Sequence, residues 1–414
     1  MRLFLYNSLL FILLPFMVLR LFYKSVQDKD YIKNISNRFG FFKKDAPLNL
    51  VWFHAVSLGE VISSQILVKK LLKDNNIVLS VSTPTGLKEA EKIYGDAITV
   101  VYAPWDFIFF VNRFIKKFKP KALILFETEI WPSMIYAMRK SNKPVILSNA
   151  RLSESSFKKY RRVKFVIKET LSKFSLILAQ SFEHVDRFKN MGVKENCIIK
   201  VGSTKFDFDA LKNSEESSIP NDIEYILAAS THIGEDEIII KAYEKLKKEF
   251  DDLKLIIVPR HPERAITVKE ILKNKNVQCA IDSYDIALTI RANDVIIIDT
   301  TGKLNSLYER AKVSFIGGSL IGKYGGHNII EPAYNRSSFI VGPHMRNFKD
   351  ILNLFLERNA CLQLDNPNEL FDGFKKLLNN DELRNHMIDN AYKVVDENKG
   401  SSNKQYNYIK ELIK

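Results

Sequence analysis

Glycine, histidine and cysteine are all scarce: the 414 residues hold 16 Gly, 7 His and 3 Cys. Cys197, Cys279 and Cys361 stand far apart, with no CxxC pair and no metal-ligand spacing. That pattern excludes a disulfide framework and indicates reduced thiols in a cytosolic body. No HExxH motif or His/Cys cluster is present, so a zinc site has no ligand set. No GxxxxGK[ST] loop occurs, and no GxGxxG follows the first strand-like run. Basic residues are not interleaved with aromatics in one block, which argues against nucleic-acid binding. The triplet "DFD", Asp207 to Asp209, matches the DxD of metal-dependent sugar transfer only literally, because it stands in a linker-like stretch. No short repeat or low-complexity tract is visible.

What is abundant is positive charge. Lys and Arg total 62 against 48 Asp and Glu, a net charge of +14. Such an excess suits an anionic partner: a phosphorylated substrate, an acidic membrane surface or a nucleic acid. One uncharged apolar run, "LFLYNSLLFILLPFMVL" from Leu3 to Leu19, opens the chain between Arg2 and Arg20. As a helix it would span roughly 25 Å, marginal for a hydrocarbon core of about 30 Å. Pro15 would kink it, and Asn7 and Ser8 weaken it. No small-x-small cleavage site follows, so it does not read as a cleaved signal peptide. Arg20, Lys24, Lys29 and Lys33 follow the run and only Arg2 precedes it, which puts the body on the cytoplasmic side. Residues 1–24 are therefore expected to anchor the chain to a membrane, spanning it or lying in its interface.

From about residue 48, apolar strand-like runs alternate with helical stretches: "LNLVWFHA", "NIVLSVSTPTG", "ITVVYAP", "PKALILFETEIWP", "PVILSNARL", "FSLILAQS". Pro132 is placed as a first helical residue. The alternation stops at "FDFDALKNSEESSIPNDIEY" and restarts with "YILAASTH", "LKLIIVPRHPER", "DVIIIDTTG", "VSFIGGSL" and "SFIVGP". Continuous apolar strands of this kind belong to parallel sheets covered on both faces. The expected fold is α/β, with two doubly wound Rossmann-like domains facing a cleft. Their expected bounds are 31–207 and 223–414, joined by a linker at 208–222, and the last helix can pack back on the first domain.

The polar signals follow strands, where ligands of open α/β sheets bind. "HAVSLGE" admits two readings. Ser57 and Glu60 have capping-box spacing, or Glu60 is a carboxylate held at a strand-to-helix edge for chemistry. Glu127 and Glu129 in "ETEIWP" either cap the next helix or add to that chemistry. In the second half, Ser230 and Thr231 end a strand. "PRHPER" offers Arg260, His261 and Arg264 to a phosphate. Gly317, Gly318 and Ser319 allow close backbone approach. Gly325, Gly326, His327 and Asn328 are expected to open a helix whose amides meet a phosphate, with Glu331 close to a ribose hydroxyl or to the helix dipole.

Taken in order, "FHAVSLGE", "STPTG", "ETEIWP", "GSTKFD", "ASTH", "PRHPER", "GGSL" and "GGHNIIEPA" resemble the bacterial 3-deoxy-D-manno-octulosonic acid (Kdo) transferases. The resemblance runs from about residue 31 to the C-terminus. It implies a GT-B glycosyltransferase at the cytoplasmic face of the inner membrane. Such an enzyme moves Kdo from CMP-Kdo to the primary hydroxyl of a lipid A precursor, with inversion and with neither metal nor other cofactor. By the same resemblance Glu60 is the general base, and Glu127 and Glu129 are the acidic pair. The donor side comprises Ser230, Thr231, Arg260, His261, Gly317, Gly318, Ser319, Gly326, His327, Asn328 and Glu331, and Lys205 lies near the interdomain crossover. An apolar-basic stretch, "NRFGFFKKD", would face lipid. Ser203-Thr204 and Thr300-Thr301-Gly302-Lys303-Leu304 depart from the family pattern, which bears on the nucleotide contacts. Two alternatives share the architecture: a nucleotide-sugar epimerase, and a membrane-docked nucleotide-binding protein without activity.

Overall fold

A computed structural model describes residues 2–45, 47, 49–207, 219–282 and 284–413. Most of the expected linker, including Asp209, lies outside them. The chain divides into two compact units, residues 1–208 with 399–414, and residues 209–398.

The first unit is built on seven strands: β1 Val51–His54, β2 Ile77–Val81, β3 Thr99–Tyr102, β4 Ala122–Phe126, β5 Val145–Ala150, β6 Leu176–Ala179 and β7 Ile198–Lys200. They pair in the order β3-β2-β1-β4-β5-β6-β7, all parallel. The apolar runs form interior strands because both faces are covered, so successive side chains alternate between two cores. Leu50 and Trp52 enter one core with Phe114, Phe118, Met134 and Met138. Val51 and Phe53 enter the other with Leu67, Leu71, Ala90 and Ile409. Ile409 belongs to the Ser401–Leu412 helix, which completes this unit from the far end of the sequence. Gln405 on that helix takes the amide of Asn149 (2.8 Å) and the Ser148 hydroxyl (2.5 Å).

The second unit repeats the plan with β8 Tyr225–Thr231, β9 Lys254–Pro259, β10 Cys279–Ile281, β11 Val295–Ile297, β12 Val313–Ile316, β13 Phe339–Val341 and β14 Leu362–Gln363. Their order is β10-β11-β9-β8-β12-β13-β14, again all parallel. In each sheet the winding direction reverses once, between β1 and β4 and between β8 and β12. The loops leaving those two pairs diverge, which opens a crevice beyond their carboxyl ends.

The N-terminal helix runs unbroken from Arg2 to Gln27, with Pro15 inside it. Only 6 % of its apolar window is buried. The "NRFGFFKKD" stretch divides between interior and surface. Arg38 turns inward: it is 4 % exposed, donates to the Ser82 carbonyl (3.1 Å) and lies 4.5 Å over the Tyr102 ring. Phe41 faces outward.

Trp52 and Phe114 stack at 4.0 Å between sheet and helix. We expect Phe114→Ala to destabilise the first unit by about 3–5 kcal/mol, read as a lowered guanidinium midpoint in its unfolding transition.

Candidate active site

Ser57 caps the Leu58–Leu71 helix that follows β1, and Glu60 occupies its third position. The Glu60 amide points at Ser57 Oγ (3.5 Å), while the Glu60 carboxylate reaches back one residue further than a standard capping box. Oε2 accepts from the Val56 amide at 2.8 Å, and Oε1 accepts from Ser57 Oγ at 3.1 Å. The carboxylate is thus fixed at the carboxyl end of β1. Gly86, in the first turn of the Pro84–Tyr94 helix, lets a second helix start lie against this one. A Cβ there would stand 3.2 Å from the Ser57 carbonyl carbon and 3.3 Å from the Leu58 amide.

β4, the other strand at the reversal, is followed directly by Glu127, which has a left-handed φ of +65°. A side-chain-bearing residue pays for that conformation with about 1–3 kcal/mol. Neighbours hold it there: its amide donates to the Ser148 carbonyl (2.9 Å), and its own carbonyl accepts from the Arg151 amide (3.3 Å). The turn aims the Glu127 carboxylate at Lys205, with Nζ 3.5 Å from Oε1. Two residues on, Glu129 Oε2 accepts from the Trp131 indole at 2.6 Å, and the Trp131 ring meets the buried His54 ring edge-on. Glu60, Glu127 and Glu129 are therefore one acidic group. Burial first, then the charges of Glu129 and Glu127, push the Glu60 carboxyl up to about 8. Burial, with a smaller contribution from Glu127, pushes Glu129 up to about 7, against the opposing Trp131 hydrogen bond. A carboxyl poised near neutrality can accept a proton in working conditions.

In the second unit, the loops after β8 and β12 are tied by a residue the sequence reading passed over. Glu235 is fully buried. It accepts the amides of Gly318 (2.7 Å), Ser319 (3.0 Å), Leu320 (2.9 Å) and His232 (2.9 Å). Burial raises its pKa and these four bonds oppose the rise. All four partners are N–H donors, which suits a carboxylate acceptor. Gly317 and Gly318 allow this closeness: a Cβ on Gly317 would sit 2.4 Å from the Ser230 carbonyl oxygen. Ser230 itself has φ +56°, at a register shift in β8. Asp236 anchors Thr231 (2.7 Å) and Arg264, whose guanidinium also reaches the Thr231 carbonyl at 3.0 Å. Arg264 thus braces the loop, whereas Arg260 and His261 stay exposed.

His232 and His327 lie parallel, their Nε2 atoms 2.7 Å apart, and Tyr324 stacks on His232 at 3.9 Å. Burial, then neighbouring histidines and cationic side chains, lowers both to about 4, so the pair is neutral at pH 7. Asn328 donates to Glu331 Oε1 (3.0 Å) and accepts the Ile330 amide (3.0 Å). The helix after "GGHN" is shorter than the motif suggests: it runs only from Ile330 to Tyr334, and Asn328 already occupies its first amide. Burial raises the Glu331 carboxyl, with Asn328 and Arg260 opposing.

Asp207 of "DFD" accepts the amides of Gly400 (2.6 Å) and Ser402, capping the Ser401–Leu412 helix rather than facing a ligand. Among the described residues no group of three or more His, Cys, Asp or Glu side chains could hold a metal ion. The signal for Glu235 and Asp236 was available: adjacent acids three and four residues after "STH", at a helix start.

Two doubly wound units, each with polar loops at its reversal, define the GT-B class of α/β proteins. Two solved structures share the fold. A glycosyltransferase from Rickettsia africae has TM-score 0.57 and 17 % identity, covering 90 % of this chain and 100 % of that one. A UDP-GlcNAc 2-epimerase from Neisseria meningitidis, bound to UDP-GlcNAc, has TM-score 0.58 and 14 % identity, covering 89 % and 99 %. At those identities the likeness is one of fold alone. Residues 33–208 match the family model described as 3-deoxy-D-manno-octulosonic-acid transferase (kdotransferase). The 3-deoxy-D-manno-octulosonic acid transferase of Haemophilus influenzae is 32 % identical over 99 % of this chain and 98 % of its own length. The chain belongs to the Kdo transferase family and is a glycosyltransferase. The epimerase and the inactive binding protein are thereby set aside.

We expect Glu235→Gln to put an amide NH2 against loop N–H donors. Leaving one such donor unsatisfied lowers stability by about 1–3 kcal/mol, measured as a drop in the urea midpoint of the second unit.

Proposed function

We propose that the protein transfers Kdo from CMP-Kdo, with inversion, to the primary hydroxyl of a lipid A precursor at the cytoplasmic face of the inner membrane. The observation that carries this reading is the Glu60 carboxylate, fixed by Val56 and Ser57 and pushed up to about 8 beside Glu127 and Glu129. Glu60 takes the acceptor hydroxyl proton as that oxygen attacks the anomeric carbon. The bond from the anomeric carbon to the phosphate oxygen breaks on the opposite side, and CMP leaves with its electron pair. Glu60 then returns its proton to water.

Lys205 offsets the Glu127 charge, so Glu60 is not left among three unopposed carboxylates. Glu129, held by Trp131, is assigned to acceptor binding. Ser230, Thr231, Gly317, Gly318, Ser319, Gly326, His327, Asn328 and Glu331 form the donor side, with Arg260 and His261 exposed beside them to meet the phosphate. A cationic group there stabilises charge developing on the leaving phosphate. The family membership supports Kdo as the sugar moved. The exposed apolar N-terminal helix supports a membrane-bound acceptor.

Purified protein with CMP-Kdo and a tetraacyl lipid A precursor is expected to release CMP and raise the lipid mass by whole Kdo units. Unchanged lipid, under conditions where a known transferase acts, would sink the assignment. Glu60→Gln can keep the cap but cannot take a proton. It should stay folded by circular dichroism and lose about 10²–10⁴ in turnover. Near-normal turnover would move the base to Glu127 or Glu129.

The raised carboxyl also fixes two signs. As a base, Glu60 works only when ionised, so kcat/KM should climb with pH up to about 8. For stability, the folded protein binds the Glu60 proton more tightly than the unfolded chain does. Between the ordinary value of 4.5 and about 8, rising pH should therefore cost stability. Glu60→Gln should flatten that decline in thermal melts taken across the range.

A further inference from the structure

The N-terminal helix is tied to the first unit at both ends. Near its start, Tyr6 donates to Asp106 Oδ2 (3.0 Å). Asn7 donates to Ser133 Oγ (3.2 Å) and accepts the Ile108 amide (2.8 Å). Asp106 is buried and also takes the amides of Ser133 (3.0 Å) and Met134 (2.9 Å), so the attachment point is held within the unit. One turn on, the Phe11 ring meets Phe107 edge-on at 5.2 Å. Beyond the far end, the Asp30 carbonyl accepts from Tyr102 of β3 (3.0 Å), and its carboxylate pairs with Lys88.

From Asn7 to Asp28 a helix advances about 30 Å, the thickness of the hydrocarbon core. If this helix crossed a bilayer, Asp106, Ser133 and the Ile108 amide would lie at the opposite face from Tyr102 and Lys88. A charged, hydrogen-bonded α/β unit cannot straddle hydrocarbon in that way.

We infer that the N-terminal helix lies in the plane of one leaflet, with both ends on the same side. Its outward face is apolar: Phe4, Ile12, Phe16 and Leu19 are each more than 60 % exposed. From the exposed Phe11, ring contacts run beneath the surface through the buried Phe107 and Phe110 to Phe109, exposed on the α/β unit. There the Arg113 guanidinium lies between the exposed rings of Phe41 and Phe109, at 4.0 and 4.1 Å, and donates to the Phe39 carbonyl (3.1 Å). Aromatic rings at headgroup depth with a cation among them, on a chain of net charge +14, fit a leaflet rich in anionic lipid.

This inference rests on the membrane reading above, and the two can fail separately. The full chain carries an epitope ahead of Arg2, and a second form carries it after Ile413. Inside-out vesicles from expressing cells are treated with a protease that cannot cross lipid. Loss of both epitopes at similar rates is expected. An N-terminal epitope protected until detergent is added, on protein that floats with the vesicles, would show a spanning helix and overturn the in-plane placement alone. Protein that fails to float, including as a soluble dimer of this chain, overturns both readings. For the aromatic row, Phe109→Trp in phosphatidylethanolamine–phosphatidylglycerol vesicles with brominated chains should show quenching beyond that of the parent protein. No added quenching would remove Phe109 and Arg113 from the lipid-facing surface.

Discussion

A parallel sheet covered on both faces must send its connections to both sides, and the reversal between them is the constraint on which the proposed chemistry depends. At that reversal two neighbouring strands send their loops apart, and side chains can converge without filling the gap. The chain meets this constraint twice. β1 delivers Glu60 and β4 delivers Glu127 and Glu129; β8 delivers Thr231 and β12 delivers the glycine pair. At both reversals a residue that is not glycine adopts a left-handed backbone, Glu127 in one unit and Ser230 in the other. Strain of that kind persists only where packing over-determines it. Here it turns the chain sharply at the strand end, so that polar groups are presented where the helices start.

Glu235, fully buried, and Glu60, half-buried, show how surroundings rather than residue type separate a structural carboxylate from the proposed base. Glu235 spends both oxygens on four amides and has no capacity left. Glu60 meets one amide and one hydroxyl, and it has like charges for neighbours. The first environment is a clasp of donors that ties two loops together. The second pushes the carboxyl up to about 8, which suits the role proposed for Glu60 as a base.

Much of this was legible in the sequence, because interior parallel strands announce themselves as unbroken apolar runs. Short edge strands do not. β7, β10 and β14 span two or three residues each, too few for a pattern to emerge. Polar residues were harder still, since their partners are distant in sequence. Asn7 reads as a flaw in an apolar helix, yet it is the peg that seats the helix. Arg38 reads as surface charge, yet it is buried beneath Tyr102. Asp207 matches a metal-site triplet, yet it caps a helix nearly two hundred residues later. The residues Glu60, Glu127 and Glu129 were identifiable as a group from their strand ends. Their hydrogen bonds and shared electrostatics required the fold.

The Ser401–Leu412 helix carries a consequence for how the protein is made. Gln405 fills a polar niche beside β5, and Ile409 closes an apolar face shared with Leu67 and Leu71. A ribosome releases those residues only after the whole second unit has emerged. Until then the first unit waits with an unsealed patch, although its sheet is already complete. Domains generally fold in order of synthesis, but here the first to begin is the last to finish. A nascent chain in that interval would present the patch to chaperones. A stop codon shortly before Ser401 would leave a protein whose first sheet is intact in sequence and permanently unsealed in structure.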